Sequence, residues 1–184
     1  MALSLVLSLK VRGLIMAGPP CCLWTFLSSS VHKRKQNRPE GDETRLCVRM
    51  ANLIVRNLAV LLKLATDRGV FWVIEQPSTS QMWFYQPLQQ CLVACKAFRV
   101  YTWMGCFGHD LMKASVLWGT LPTLSLLGRT RSQCPLLQAG SNGGAVYYIR
   151  GQDGSVRGGP DLFKSVAYTT GFCTALLDAW YLCK

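Results

Sequence analysis

Acidic residues are scarce in this sequence: nine Asp and Glu stand against 20 Lys and Arg in 184 residues, leaving a net charge of +11. That imbalance points to a polyanionic partner or an anionic surface, and it leaves the chemistry open. Histidine is nearly absent, with His32 and His109 far apart, and the nine cysteines give no paired two-residue spacing. A zinc site is therefore not expected. An odd cysteine count in a chain too long to need staples also argues against a secreted disulfide framework. Reduced thiols in an intracellular compartment, nuclear or cytoplasmic, are the expectation. No uninterrupted run of about 18 apolar residues occurs, and the apolar start MALSLVLSLK is too short to span a bilayer and lacks a preceding basic stretch. No membrane partner is expected. Neither GxxxxGK[ST] nor a strand-to-helix GxGxxG is found, so the glycine-rich stretch 139–159 is not a phosphate cradle.

What the chain does have is apolar mass. Half of its residues are hydrophobic and only 16% are charged, enough to bury a sizeable core and to exclude wholesale disorder. Residues 11–17, VRGLIMA, form an apolar run stopped by Gly18-Pro19-Pro20, which suits a strand buried on both faces. A polar, basic stretch over 28–45 reads as a long loop. A helix is predicted from about 44 to 68, with Arg45, Arg49, Asn52, Arg56 and Lys63 as one polar stripe and the other faces buried. Asp42 or Thr44 stands where its start needs a cap, and Gly69 where its end does. VFWVIEQP at 70–77 is a second apolar strand. Strand, helix, strand predicts a βαβ unit with parallel strands, whose carboxyl ends share one sheet edge.

Beyond it the pattern predicts a short helix within 80–97, strands at 98–104 and 115–119, and a glycine-rich hairpin or coil excursion with an Asp153-Gly154 turn signal. A helix within 165–183 closes the chain. The organisation expected is an α/β unit over 1–127, an excursion over 128–164 and a helix over 165–184 packing back.

Pro19-Pro20-Cys21 after one strand and Glu75-Gln76-Pro77 at the end of the next form the most specific pattern. Together they resemble the cytosine-5 DNA methyltransferases, class I enzymes dependent on S-adenosylmethionine, with Gln76-Pro77 in place of that family's Asn-Val. Similar still are uncharacterised methyltransferase-like proteins of protists and mobile elements. The shared elements are the Pro-Pro-Cys turn, Arg38-Pro39-Glu40-Gly41-Asp42, Glu75-Gln76-Pro77-Ser78 with Ser80 and Trp83, and Gly108 with Lys113.

The resemblance implies Cys21 as nucleophile and Glu75 as the carboxylate that polarises the base. It also implies a nucleic-acid surface of His32, Lys33, Arg34, Lys35, Arg38 and Lys113, with DNA as partner and RNA open. A thiolate must add to carbon 6 of the pyrimidine before carbon 5 becomes nucleophilic, and the base must first leave its stack. Each residue also has a plain structural reading: Cys21 packing in the core, Glu75 capping the next helix, the basic loop a solvated face. Trp72, Trp83, Trp103 and Trp118 read as core.

The family holds S-adenosylmethionine by a Gly-rich turn and an acidic residue on strands preceding the Pro-Cys turn, and the 20 residues before Cys21 supply no such turn. The fold expected is thus a partial Rossmann-like doubly wound sheet lacking its first strands. A chain of that kind binds the cofactor poorly by itself and exposes a strand edge at 11–17 that invites self-association.

Overall fold

A computed structural model describes residues 2–25, 29–138, 148–152, 156–158 and 166–184. Much of the glycine-rich excursion, including the Asp153-Gly154 turn signal, lies outside them.

The expected βαβ unit is present in its pairing. Strand β1 (Leu14–Ala17) runs parallel to β2 (Phe71–Pro77), in the register Leu14 to Phe71 and Ala17 to Ile74. Between them lie the short helix α2 (Ser29–His32) and the long α3 (Leu46–Asp67). β1 is shorter than the apolar run because Arg12 takes a left-handed φ of 64° and Gly13 turns back onto the Lys10 carbonyl. α4 (Gln86–Ala94) leads to β3 (Phe98–Trp103), and β4 (Ala114–Gly119) follows. β4 inserts antiparallel to both β2 and β3, so the sheet is mixed, in the order β1-β2-β4-β3. Helix α5 (Pro135–Gln138) precedes an antiparallel ribbon of β5 (Tyr148–Arg150) and β6 (Val156–Gly158), and α6 (Thr170–Tyr181) ends the fold.

Alternation along the strands divides the apolar residues into two layers. Ile15, Trp72, Ile74 and Trp118 pack with the buried face of α3, including Val55 and Leu62. Leu14, Met16, Val73 and Leu117 pack with Phe172 and Leu176 of α6. The sheet therefore carries helices on both faces. Helix α1 (Ala2–Ser8), unforeseen in the sequence, joins the α3 layer through buried Val6, and the Arg68 guanidinium donates to the Leu7 carbonyl at its end, 2.9 Å away.

Two expectations for α3 need correction. It is not buried on all its apolar faces: Leu46, Met50, Leu53, Ile54 and Val60 are exposed, because only one side lies on the sheet. Nor is Asn52 part of a solvated stripe, since it is buried beneath the preceding loop. No side chain caps the helix start at Arg45; Asp42 instead receives the Thr44 amide and hydroxyl one turn earlier. At the far end Gly69, at φ 67°, lets Val70 return its amide to Ala65, the glycine-terminated stop expected.

Gly119 sits where β4 passes both neighbours, and a Cβ there would run into the Trp72 carbonyl oxygen and come within 3.2 Å of the Val73 Cα. Only backbone can yield. Gly119→Ala should therefore cost about 1–3 kcal/mol, the usual penalty for overpacking a rigid core. A denaturant midpoint unchanged from the parent would contradict this packing.

Candidate functional site

Parallel pairing brings the segment after β1 and the end of β2 to one sheet edge. Gln76 locks the two together. Its Nε2 donates to the Pro19 carbonyl at 2.5 Å, while its Oε1 accepts from the Ser80 hydroxyl at 3.1 Å. Gln76 thus holds the Pro-Pro-Cys turn in place. Cys21 closes that turn, its carbonyl accepting the Trp24 amide at 2.8 Å, and Trp24 in turn accepts the Gln81 amide.

Glu75, one residue before, is 4% exposed, and protein donors reach both of its carboxylate oxygens. Ser115 Oγ donates to Oε1 at 2.6 Å and Lys113 Nζ stands 3.4 Å from the same atom. Tyr168 donates its hydroxyl to Oε2 at 3.1 Å. Glu75 therefore does not cap the helix that follows. Lys113, which the resemblance puts among the nucleic-acid-binding residues, lies in the cleft with its side chain 11% exposed, paired with a buried carboxylate. Gly108, left-handed at φ 79°, makes the turn that returns the chain toward Lys113 at the start of β4. Neither Ser115 nor Tyr168 was a candidate in the sequence. Ser115 opens a predicted strand on which nothing singles it out, and Tyr168 lies 93 positions from Glu75.

The cleft is electrostatically coupled. Burial raises the Cys21 thiol above its ordinary value; the Lys113 ammonium opposes this, while Glu75 and Cys22 add to it. Burial also pushes the Tyr168 phenol strongly up, with the Glu75 charge second and its hydrogen bond third, so Tyr168 stays a neutral donor. In this state Cys21 rests as a thiol.

The basic loop divides into a buried part and an exposed part. Arg34 does not face solvent. It is 1% exposed, its guanidinium stacked 3.6 Å from the Trp24 ring centroid and donating to the Pro39 carbonyl and to Asn52 Oδ1 at 2.9 Å. Burial lowers its pKa to about 10. Asn52 then donates to the Glu40 carbonyl at 3.0 Å, and Gly41, at φ 68°, passes under the His32 carbonyl with no room for a Cβ. His32 is held below its ordinary value, first by burial and then by Arg34 and Arg45, so it adds no positive charge near neutrality. Lys33, Lys35 and Arg38 remain exposed and line a groove of about 610 Å³ with Ser29, Ser30, Asn37 and Glu40. Lys33 leans toward Asp42 at 3.7 Å.

The tryptophans expected in the core divide as well. Trp72 is fully buried, while Trp83, Trp103 and Trp118 are half-buried. All nine cysteines are free thiols, and among the described residues no group of three or more His, Cys, Asp or Glu could hold a metal ion. Among them, too, no helix is long and apolar enough to cross a membrane. Neither family models nor curated protein sequences give a match to this chain.

Because burial outweighs Lys113 at Cys21, alkylation of this thiol by iodoacetamide should be slow at about pH 8 and rise only above the ordinary thiol range. Lys113→Met removes the one side-chain charge that favours the thiolate, so its profile should move to still higher pH. A profile that moves down in Lys113→Met would show that the two side chains do not share the cleft. Mass spectrometry of the Cys21 peptide reads the result.

Proposed function

We propose that this chain is a nucleic-acid-binding α/β domain of the cytosine-5 methyltransferase type. Its thiol–carboxylate cleft receives a pyrimidine base, and methyl transfer is not completed by this chain alone. The observation that carries the reading is the convergence of Cys21, Glu75 and Lys113 at one sheet edge. That edge is joined through Trp24 and Arg34 to a loop that exposes Lys33, Lys35 and Arg38. The mixed four-stranded sheet with helices on both faces is compatible with the α/β fold this reading requires.

In this reading the exposed cations hold phosphates, and a base displaced from its stack enters with its ring nitrogen and exocyclic amine toward Glu75. For that edge to reach the carboxylate, Tyr168 must yield Oε2. The Cys21 thiolate adds to carbon 6: the sulfur–carbon bond forms, the 5,6 double bond breaks, and its electron pair passes to carbon 5 and into the ring. Carbon 5 takes a proton from water. Loss of the original carbon 5 hydrogen as a proton and departure of the thiolate then restore the base. Lys113 favours the thiolate, and Glu75 orients the ring.

The residues present do not fit S-adenosylmethionine. The groove beside β1 is apolar, carries Lys10, Arg12 and Lys184, and has no acidic side chain among its lining residues to meet a sulfonium or ribose hydroxyls.

A second reading, a binding domain without chemistry, draws on the same cleft. Tyr168 already fills one side of Glu75 and Cys21 is protonated. Single-stranded DNA carrying tritium at carbon 5 of cytosine separates the two. Thiol addition predicts slow tritium release that Cys21→Ser abolishes and Glu75→Gln lowers about 100-fold, the scale of a lost acid–base contact. DNA binding that weakens with salt but releases no tritium would establish the binding reading instead. Calorimetric titration with S-adenosylmethionine should show no saturable heat at micromolar concentration; saturation there would return methyl transfer to this chain.

A further inference from the structure

The side of β1 that no described strand covers carries a second feature, adjoining the cleft. Phe71 donates its amide to the Gly13 carbonyl, so in a parallel ladder the alternate residues Ile15 and Ala17 face β2. Leu14 and Met16 direct their backbone N–H and C=O groups the other way, where no described strand pairs with them. Proteins blunt such edges with charge, proline or bulges. β1, sequence LIMA, has none of these and is half-buried along its whole length.

Beside this edge runs a groove of about 880 Å³. Its walls are the side chains of Leu14 and Met16 on one side and Phe172, Leu176, Leu177 and Trp180 of α6 on the other. The groove is preformed. Trp180 Nε1 donates to the Arg12 carbonyl at 2.7 Å and Arg12 donates to the Lys184 carbonyl at 2.6 Å, fixing α6 against the start of β1. The charged side chains at the rim are Lys10, Arg12 and Lys184, all basic.

We propose that this edge and groove form a docking site for one extended segment of another polypeptide, apolar at alternate positions and flanked by acidic residues, which adds as a strand to β1. Alternate side chains of the segment enter the apolar groove while its backbone pairs with Leu14 and Met16. β1 spans about 13 Å, enough for four or five partner residues. The acidic flanks follow from the cationic rim. A second copy is disfavoured because self-pairing would bring together two chains of net charge +11, each carrying the same three cations at this edge. Tyr168 lines the inner end of the groove as well as holding Glu75, so an occupant lies against the cleft's own latch. The inference does not depend on the cytosine reading.

The test uses the full chain and a labelled nonapeptide, Asp-Asp-Val-Thr-Val-Thr-Val-Asp-Asp, followed by fluorescence anisotropy, with sedimentation of the protein alone. Saturable binding is expected, with the protein monomeric. Affinity should fall about tenfold or more when alternate peptide amides are N-methylated, when lysines replace the flanking aspartates, and in Met16→Asp. Leu177→Asp, at a position 46% exposed and so safe for folding, should weaken binding likewise. No saturable binding, indifference to N-methylation and to Leu177→Asp, or a stable dimer that excludes the peptide would each overturn the proposal.

Discussion

A carboxylate buried at the end of an apolar strand organises this fold's functional edge. A carboxylate buried there requires donors, since an unpaired buried charge costs several kcal/mol. The donors of Glu75 come from two separate stretches of chain: Lys113 and Ser115 at the start of β4, and Tyr168 just before α6. Satisfying one side chain thus draws the antiparallel strand and the carboxyl-terminal helix to the edge where the Cys21 turn lies. Tyr168 also crowds Gly18, where a Cβ would meet its hydroxyl, so any larger residue in the turn leading to Cys21 has to displace the Tyr168 side chain.

The loop motif at 38–42 is explained by the same demand for satisfied polar groups. Arg34 lies under the loop because the stack on Trp24 and the carbonyl of Pro39 take up its guanidinium. Asn52 receives Arg34 and supports the Glu40 carbonyl, which links the loop to α3. A segment rich in cations therefore spends one of them on architecture and presents the others on a fixed frame. This gives an exposed basic surface of defined shape rather than a loose charged loop.

Much of this was legible in the amino-acid order. Uniform apolar runs ended by Pro19-Pro20 and Pro77 marked β1 and β2, and the helix between them made parallel pairing the simple outcome. Periodicity showed α3 but not which of its apolar faces meets the sheet, because Met50 and Val55 look alike until a neighbouring element covers one of them. Helix α1 was missed because its seven residues, five apolar and two serines, are too few to read a period from. In the cleft, Cys21 and Glu75 stood out because prolines flank them. Lys113 stood out only as the end of the Gly108–Lys113 motif, and its ion pair with Glu75, a contact across 38 positions, is what places it inside. Ser115 and Tyr168 depend on tertiary contacts across 40 and 93 positions, which no local pattern encodes.

The central claim is that Tyr168 holds the place on Glu75 that a pyrimidine edge takes. A crystal structure of the chain with a short cytosine-containing single-stranded oligonucleotide tests it directly. The account predicts the cytosine ring against Glu75, with the Tyr168 hydroxyl displaced from Oε2 and carbon 6 facing the Cys21 sulfur. An oligonucleotide bound only along Lys33, Lys35 and Arg38, with the Tyr168–Glu75 hydrogen bond intact and no base in the cleft, would contradict it.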